Sequence, residues 1–479
     1  MMVRMRVVRA ALIGSGLVAI AALWWNTVPG TQPPIGIVVI TLDTTRADRL
    51  STYGFNDVSL PGLERLAREG VVFAQATTVA PLTLPAHTSL FTGLLPPNHG
   101  VRDNADNALS DAHTTLAELL HARGFRTGAF VSSIVLGPGR GLKQGFDRYQ
   151  GVREVDGPAA GPEAWQRRAN DVMDDAIGWL DTVGDSPFFL WTHLYDAHRP
   201  YDPPEPYRTT YGHNLYVGEI AFADSQIGRL LQALDQRGLR DRTIVIVAGD
   251  HGESLGGHGE RDHGVFVYEE VLRVPLIVRA PALRPARVDE IVRLTDVMPT
   301  VLEMFDVPSP ATDGVSLVDL MNGRKNNLGL EAYSESLYPQ RLGWSPLRAL
   351  RDGKFKLIDA PRPELYDVED DPIEERNIYD GRRALAEKMT ARLAALARGH
   401  GSTSTPGAGV NPEVQARLAS LGYLGGAAKR ESAGRGALPD PKDCISNYSR
   451  LPGSPVFDPS CGQWHPTDDA DVAPQPRLR

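Results

Sequence analysis

A few acidic, histidine and threonine motifs carry the residue types that could do chemistry. Asp43 closes the run Ile35-Gly-Ile-Val-Val-Ile-Thr-Leu42. Asp250, His251 and Glu253 follow Thr243-Ile-Val-Ile-Val-Ala248 within Gly249-Asp-His-Gly-Glu253. A carboxylate beside a neutral imidazole suits zinc or manganese. A lone Asp at a strand end is commonly a helix cap. Asp43, Asp250 and His251 taken together point instead to a divalent metal site.

The stretch Pro81-Leu-Thr-Leu-Pro-Ala-His-Thr-Ser-Leu-Phe-Thr-Gly93 supplies a different chemistry. Pro85 favours the first turn of a helix and sets Thr83 at or just before its N-terminus. Free backbone N–H groups there stabilise an alkoxide and an incoming anion. An ordinary threonine cap is the other reading. Seven of the twelve histidines fall in or near these blocks: His87, His99, His193, His198, His251, His258 and His263. Trp191-Thr-His-Leu-Tyr-Asp-Ala-His-Arg-Pro200 offers His193, Asp196 and His198, and Gly256-Gly-His-Gly-Glu-Arg-Asp-His-Gly264 offers His258 and His263 on a glycine-rich loop. Such a cluster can bind an anion or a metal, or protonate a leaving group.

Positioning these groups requires strands that end together. The runs 35–42 and 243–248 are nearly continuous and β-branched, which predicts strands covered on both faces. Further strands are expected at 126–132, 188–194 and 274–279, and helices at 60–69, 116–123, 170–182 and 216–236. This β–α alternation predicts a mostly parallel sheet with helices on both faces, in which ligands bind at the carboxyl ends of the strands. From about Glu331 the pattern changes to a hairpin over 348–358, then Glu364-Leu-Tyr-Asp367 and a helix from about Arg382 to Ala397, which reads as a smaller α+β subdomain. After Gly401 the chain is rich in Gly, Ser, Pro and Asp and reads as largely irregular.

Composition bounds the possibilities. The chain has 479 residues, 42% hydrophobic and 23% charged, as a globular chain should. Fifty basic against 59 acidic residues give a net charge of −9, which argues against broad nucleic-acid binding. Cys444 and Cys461 are the only two cysteines, so a disulfide scaffold, a cysteine-rich zinc site and a cysteine nucleophile before residue 440 are all excluded. The two are expected to pair in an oxidising compartment. Arg4, Arg6 and Arg9 precede an uncharged run from Ala10 to Trp25. Residues 1–28 therefore read as a signal anchor or a signal peptide, with the remainder exported.

On these motifs the chain resembles the sulfatase branch of the alkaline phosphatase superfamily, from Ile37 to about Asp380. The markers are Thr41-Leu-Asp-Thr-Thr-Arg-Ala-Asp48, Thr92-Gly93, His99-Gly-Val-Arg-Asp-Asn104, Ala248-Gly-Asp-His-Gly-Glu253, Tyr268-Glu-Glu-Val-Leu-Arg-Val-Pro275, Asp296-Val-Met-Pro-Thr300, Asp313-Gly314 and Glu364-Leu-Tyr-Asp367. The resemblance implies an α/β fold: a large, mostly parallel sheet sandwiched by helices over residues 35–330, a C-terminal α+β subdomain over 331–400, and a tail over 401–479. It also implies a divalent metal (zinc, manganese or calcium) at the sheet edge.

The departures are informative. Sulfatases carry Cys or Ser followed by x-Pro-x-Arg, and oxidise the first residue to formylglycine. Here Thr83 stands at that position and His87 at the Arg, and threonine cannot give that aldehyde. The second of the usual paired Asp residues is Thr44. Thr83-x-Pro-x-His87 is similar to threonine-nucleophile phosphodiesterases of the superfamily, whose Asn after Pro is Ala86 here; Asn104 is a candidate substitute for its amide. The expectation is a metal-dependent hydrolase of phosphate or sulfate esters, phosphoesters preferred. Thr83 is the nucleophile, and Asp43, Asp250 and His251 hold the metal. His87, His198 and His263 contact oxygens, complete a second metal site or protonate the leaving group. A sulfatase proper, a membrane-anchored lipid head-group phosphotransferase and an inactive anion- or partner-binding member are the alternatives. The expected partners are an anionic ester substrate and, through residues 1–28, a membrane.

Overall fold

The computed structural model describes residues 34–105, 108–152, 166–281, 283–399 and 438–448. The apolar run at 1–28 and Cys461 lie outside the described residues. Among the described residues no helix is long and apolar enough to cross a membrane.

Eight strands form the main sheet: β1 (Gly36–Leu42), β2 (Val71–Thr77), β3 (Arg126–Val131), β4 (Arg148–Gln150), β5 (Phe188–Leu194), β6 (Thr243–Gly249), β7 (Arg273–Arg279) and β8 (Ala286–Arg293). Their order is β4-β3-β5-β1-β6-β7-β2-β8. Pairing is parallel except where β7 meets β6 and β2. The reversal arises because the segment between β6 and β7 contains only a four-residue α-helix, Glu269–Leu272, and no long crossover helix. That segment stays at the carboxyl edge of the sheet, where its histidines are needed.

The helices labelled here are α1 (Pro61–Glu69), α2 (Thr83–Thr92), α3 (Leu116–His121), α4 (Ala169–Val183), α5 (Leu215–Gln236) and α6 (Val297–Met304). Alternation along β1 divides them between the two faces. Ile37 and Val39 pack with Leu84, Leu90 and Phe91 of α2, Leu116 of α3 and Val301 of α6. Val38 and Ile40 pack with Leu63 of α1, Val172 and Met173 of α4, and Ile220 and Leu230 of α5. Each such side chain, fully buried, contributes about 1.5–3 kcal/mol. Both faces of β1 are therefore locked, and its end cannot wander.

A second, antiparallel sheet has the order β12-β11-β10-β9, from β9 (Glu331–Ser336), β10 (Leu347–Asp352), β11 (Phe355–Asp359) and β12 (Glu364–Asp367). The hairpin turns at Gly353-Lys354, where Gly353 takes φ +58°. Helix α7 (Arg383–Ala397) covers this sheet through Ala386, Met389 and Leu393. Within the stretch read as irregular after Gly401, Pro441–Tyr448 forms a helix, α8. Cys444, inside it, is disulfide-bonded. α8 is short, and among its described side chains only Pro441, Cys444 and Ile445 are buried; tertiary contacts hold it.

Candidate active site

The three central strands end in register. Thr41 pairs with His193 and Ala248, and Leu42 with Leu194 and Gly249. The ladder continues one residue further. Asp43 N donates to Leu194 O at 2.9 Å, and Asp250 N donates to Leu42 O at 3.1 Å. Two carboxylates separated by some two hundred positions thus arrive side by side, both wholly buried. Thr44 then turns the chain with φ +49°, a conformation uncommon for a β-branched residue. Its N–H donates to Asp250 Oδ1 at 3.2 Å and its carbonyl accepts from Tyr216 Oη at 2.7 Å, and these bonds hold the turn.

The hydrogen bonds fix which imidazole nitrogens are bare. His251 Nδ1 donates to Gly252 O at 3.0 Å, which leaves Nε2 as a lone pair. That Nε2 lies 3.6 Å from Asp250 Oδ2 and 3.8 Å from Asp43 Oδ1. Ser132 Oγ donates to His193 O at 2.5 Å and so accepts from His193 Nδ1 at 3.0 Å. Nε2 of His193 then faces Asp43 Oδ2 at 3.2 Å. Both Asp43 oxygens, Asp250 Oδ2 and His193 Nε2 are buried with no hydrogen-bond partner. Leaving such groups together in a dry site is costly unless a cation compensates them. Burial, then the charge of Asp43, drives the Asp250 carboxyl well above its usual range. Burial would raise Asp43 too, but the histidines outweigh it and hold Asp43 below the carboxylate range. Asp43, Asp250 and His251 bring one donor atom each within 4.8 Å of one another. This set of oxygens and an imidazole fits a divalent cation. His193 is a neighbour the motif reading placed in a histidine block but not in the ligand set; its register opposite Thr41 is the signal that finds it.

Thr83 is the first residue of α2, following the extended Leu82, and all ten residues of the helix are buried. Its Oγ1 lies 3.4 Å from His251 Nε2. Pro85 falls at the third helical position rather than the first. His87 is one turn on and faces backwards. Its Nδ1 donates to Thr83 O at 2.7 Å, and its Nε2 accepts from Thr41 Oγ1 at 2.9 Å. Thr41 Oγ1 in turn accepts from Trp191 Nε1 at 3.0 Å. Burial, then the His193 charge, pushes His87 down to about 3. It is neutral with both nitrogens occupied, so it braces the helix start rather than offering a donor to an ester oxygen. Asn104 Oδ1 accepts from Leu84 N at 2.9 Å, which fixes the amide; Nδ2 is buried with no partner.

His198 and His263 form an outer layer. The ring of His263 lies 4.5 Å from that of His251 and 5.1 Å from that of His198, centroid to centroid. His263 Nδ1 donates to Glu253 Oε1 at 3.1 Å, and Tyr201 Oη donates to Glu253 Oε2 at 3.2 Å. Burial works against the charged form of His263, but the Glu253 charge and hydrogen bond outweigh it and lift it to about 9. Burial, then His263, pushes His198 down to about 4. The outer layer thus holds one protonated and one neutral imidazole. Glu253, named in the motif without a role, is the residue that creates this difference.

The family model described as "Sulfatase" matches residues 36–307, and one described as "N-sulphoglucosamine sulphohydrolase, C-terminal" matches 256–399. The ulvan-active sulfatase of Formosa agariphila is 25% identical over 424 residues, covering 76% of this chain and 82% of that protein. The human arylsulfatase A is 25% identical over 449 residues, covering 76% and 87%. Among solved structures, the phosphonate monoester hydrolase of Agrobacterium radiobacter superposes with a TM-score of 0.65 at 21% identity, covering 76% of this chain and 95% of that one. The first model alone spans more than half of the chain, and the chain belongs to the sulfatase family of ester-bond hydrolases.

Proposed function

We propose that this hydrolase cleaves anionic phosphoesters, diesters above all, through Thr83 as nucleophile. The observation that carries the reading is Thr83 Oγ1 at a buried helix N-terminus, 3.4 Å from the bare Nε2 of His251. No cysteine or serine stands there to become formylglycine. Asp43, Asp250 and His251 would hold the metal, with His193 beside them. A divalent cation in that position supplies positive charge that favours the Thr83 alkoxide and neutralises the ester's oxygens.

The chain's own residues supply the rest. Thr83 Oγ1 attacks phosphorus, and the bond to the leaving oxygen breaks. His263, held protonated by Glu253, hands that oxygen a proton. In the first turn of α2 the Leu84 N–H is taken by Asn104 Oδ1, the Ala86 N–H by Leu82 O, and Pro85 has none, so the open amide of Asn104 is the donor that would face the non-bridging oxygens. Water then attacks phosphorus, giving a proton to the His263 left neutral by the first step, and the bond to Thr83 breaks to release its alkoxide. The same fold serves a phosphonate monoester hydrolase, so phosphorus chemistry has a precedent on this scaffold. The Arg-flanked apolar run at 10–25 supports export, with residues 1–28 retained at a membrane.

Rapid acid quenching during turnover of an aryl phosphodiester, followed by peptide mass analysis, tests the nucleophile. A phosphoryl adduct on Thr83 is expected, together with loss of turnover in Thr83→Ala. An active Thr83→Ala enzyme with no adduct at this position would overturn the assignment.

A further inference from the structure

Helix α8 reaches the active-site loop although it lies some 180 residues beyond it. Its segment is docked on the second sheet by polar contacts. Ser345 N donates to Pro439 O at 2.9 Å, and Ser345 Oγ to Leu438 O at 3.0 Å. Arg362 N donates to the buried Asp440 at 3.0 Å, and the Arg362 guanidinium pairs with Asp443 at 2.7 Å. Cys444, disulfide-bonded, and Ile445 are both buried in one apolar cluster with Val265, Phe266, Val267 and Tyr268, the residues that directly follow His263.

Two routes lead from α8 into the loop 254–264. A Cβ built on Gly259 would lie 3.3 Å from Ile445 Cγ2, so Ile445 rests against the loop backbone at a position with φ +85°. Lys442 Nζ pairs with Glu364, whose other oxygen accepts from Tyr268 Oη at 2.8 Å. The Tyr268 ring stacks on His258 with centroids 3.5 Å apart. Inside the loop, Glu260 accepts from Val265 N and Phe266 N at 2.8 and 3.0 Å and ties its outgoing end. The loop has few apolar contacts of its own, and a segment so built is held by what packs against it.

We infer that α8 is a brace for the loop carrying His263, with Ile445 and Lys442 as positioning residues for the leaving-group step. Through these contacts α8 reaches the second sheet and the loop, not Asp43, Asp250 or His251. Its effect on turnover therefore passes through the placement of the loop. The inference rests on the proposed role of His263 as proton donor.

Four proteins distinguish the outcomes: wild type, His263→Ala, Ile445→Ala and Ile445→Val. Each is assayed with a 4-nitrophenyl phosphodiester and with an alkyl diester of the same acid, whose leaving group needs a proton far more. Ile445→Ala is expected to slow the alkyl ester at least tenfold more than the aryl ester, in the same sense as His263→Ala and with KM little changed. Ile445→Val is expected to restore most of the rate. Equal loss on both esters in Ile445→Ala, beside a selective loss in His263→Ala, overturns the brace. Should His263→Ala show no selectivity, the proton-donor role fails, and amide exchange decides the brace alone. Faster exchange over 254–264 in folded Ile445→Ala supports it; unchanged exchange overturns it.

Discussion

Thr83 Oγ1 and His251 Nε2 stand 3.4 Å apart across 168 residues of sequence. One atom is carried by the first turn of a wholly buried helix, the other by the residue pair that ends a wholly buried strand. Neither carrier can shift without opening a core, so the hydroxyl is aimed by the fold. His87 adds the last restraint by bonding the Thr83 carbonyl from behind. Such preorganisation is what a threonine needs, since its hydroxyl is a weak nucleophile until charge is placed beside it.

Asp250→Asn is expected to cut turnover by about 100-fold or more and to lower metal content after dialysis, since it removes a ligand charge from a set already short of positive partners. The Thr44 N–H can keep its acceptor in the amide, so the turn at 44 and the melting temperature should change little. Metal analysis beside circular dichroism checks both halves. Full metal occupancy with normal turnover would place the site elsewhere.

Glu253→Gln separates charge from shape. The amide oxygen can still accept from His263 while the amide N–H2 turns to the Tyr201 oxygen, but the charge that lifts His263 to about 9 is gone. Burial then dominates and His263 becomes neutral at pH 7. The expected result is a fall of about 100-fold or more in kcat for esters with poor leaving groups, the low end of general-acid contributions, and a smaller fall for aryl esters. An identical fall for both classes would mean that His263 gives no proton to the leaving group.

Much of this arrangement is legible in the residues themselves. The β-branched runs ending at Asp43 and before Asp250 mark central strands, because only a strand buried on both faces can be that apolar. Asp43, Asp250 and Thr83 stand where the strand ends and the helix start put them, although a helix cap is the other reading of each taken singly. What the local pattern hides is relational. β7 reads like any buried strand, and its reversal depends on the segment that precedes it. β8 alternates exposed and buried residues at the sheet edge, with Arg287, Asp289 and Glu290 diluting the apolar signal. His87 has the spacing of an active-site residue, yet the Thr83 carbonyl and the Thr41 hydroxyl take up its nitrogens. The stripe of helix α8, Pro441, Cys444 and Ile445, is too short to stand out in a polar stretch, and contacts to Arg362, Glu364 and Ser345, distant in sequence, hold its segment in place.

A second pair of buried acids shapes the pH dependence of stability. Burial, then the Asp196 charge, pushes Glu219 up to about 8, and burial lifts Asp196 to about 6. Both values lie above the unfolded values, about 3.9 for Asp and about 4.3 for Glu. The folded state therefore binds these protons more tightly. Their contribution is fully present below about pH 4 and is lost as pH rises through about 6 and then about 8. Glu219→Gln keeps an acceptor for the Asp202 N–H and removes the titration. Urea unfolding midpoints should fall less between pH 6 and 9 in the variant than in wild type. Parallel curves would show that Glu219 is ionised throughout.

The sharpest expectation concerns the atom attacked. A formylglycine hydrate can expel sulfate by breaking its own C–O bond and restoring the aldehyde. An ester on Thr83 has no such exit, because its single oxygen cannot collapse to a carbonyl. The second step must then be attack of water on sulfur or phosphorus. At phosphorus, neutralising the non-bridging charge and placing water in line assist that attack. On the proposed reading, Asn104 and the outer histidines contact those oxygens. A sulfate ester carries less charge for these groups to act on, so its threonine adduct should be long-lived. Turnover of aryl phosphodiesters and phosphomonoesters is therefore expected to exceed that of aryl sulfates on metal-loaded enzyme, and a sulfated Thr83 should accumulate when sulfate esters are supplied. Side-by-side steady-state assays with Thr83→Ala as control, and intact-mass analysis after incubation with aryl sulfate, read both. Faster steady sulfate release than either phosphate reaction, abolished in Thr83→Ala, would show that the second step has a route this geometry does not contain.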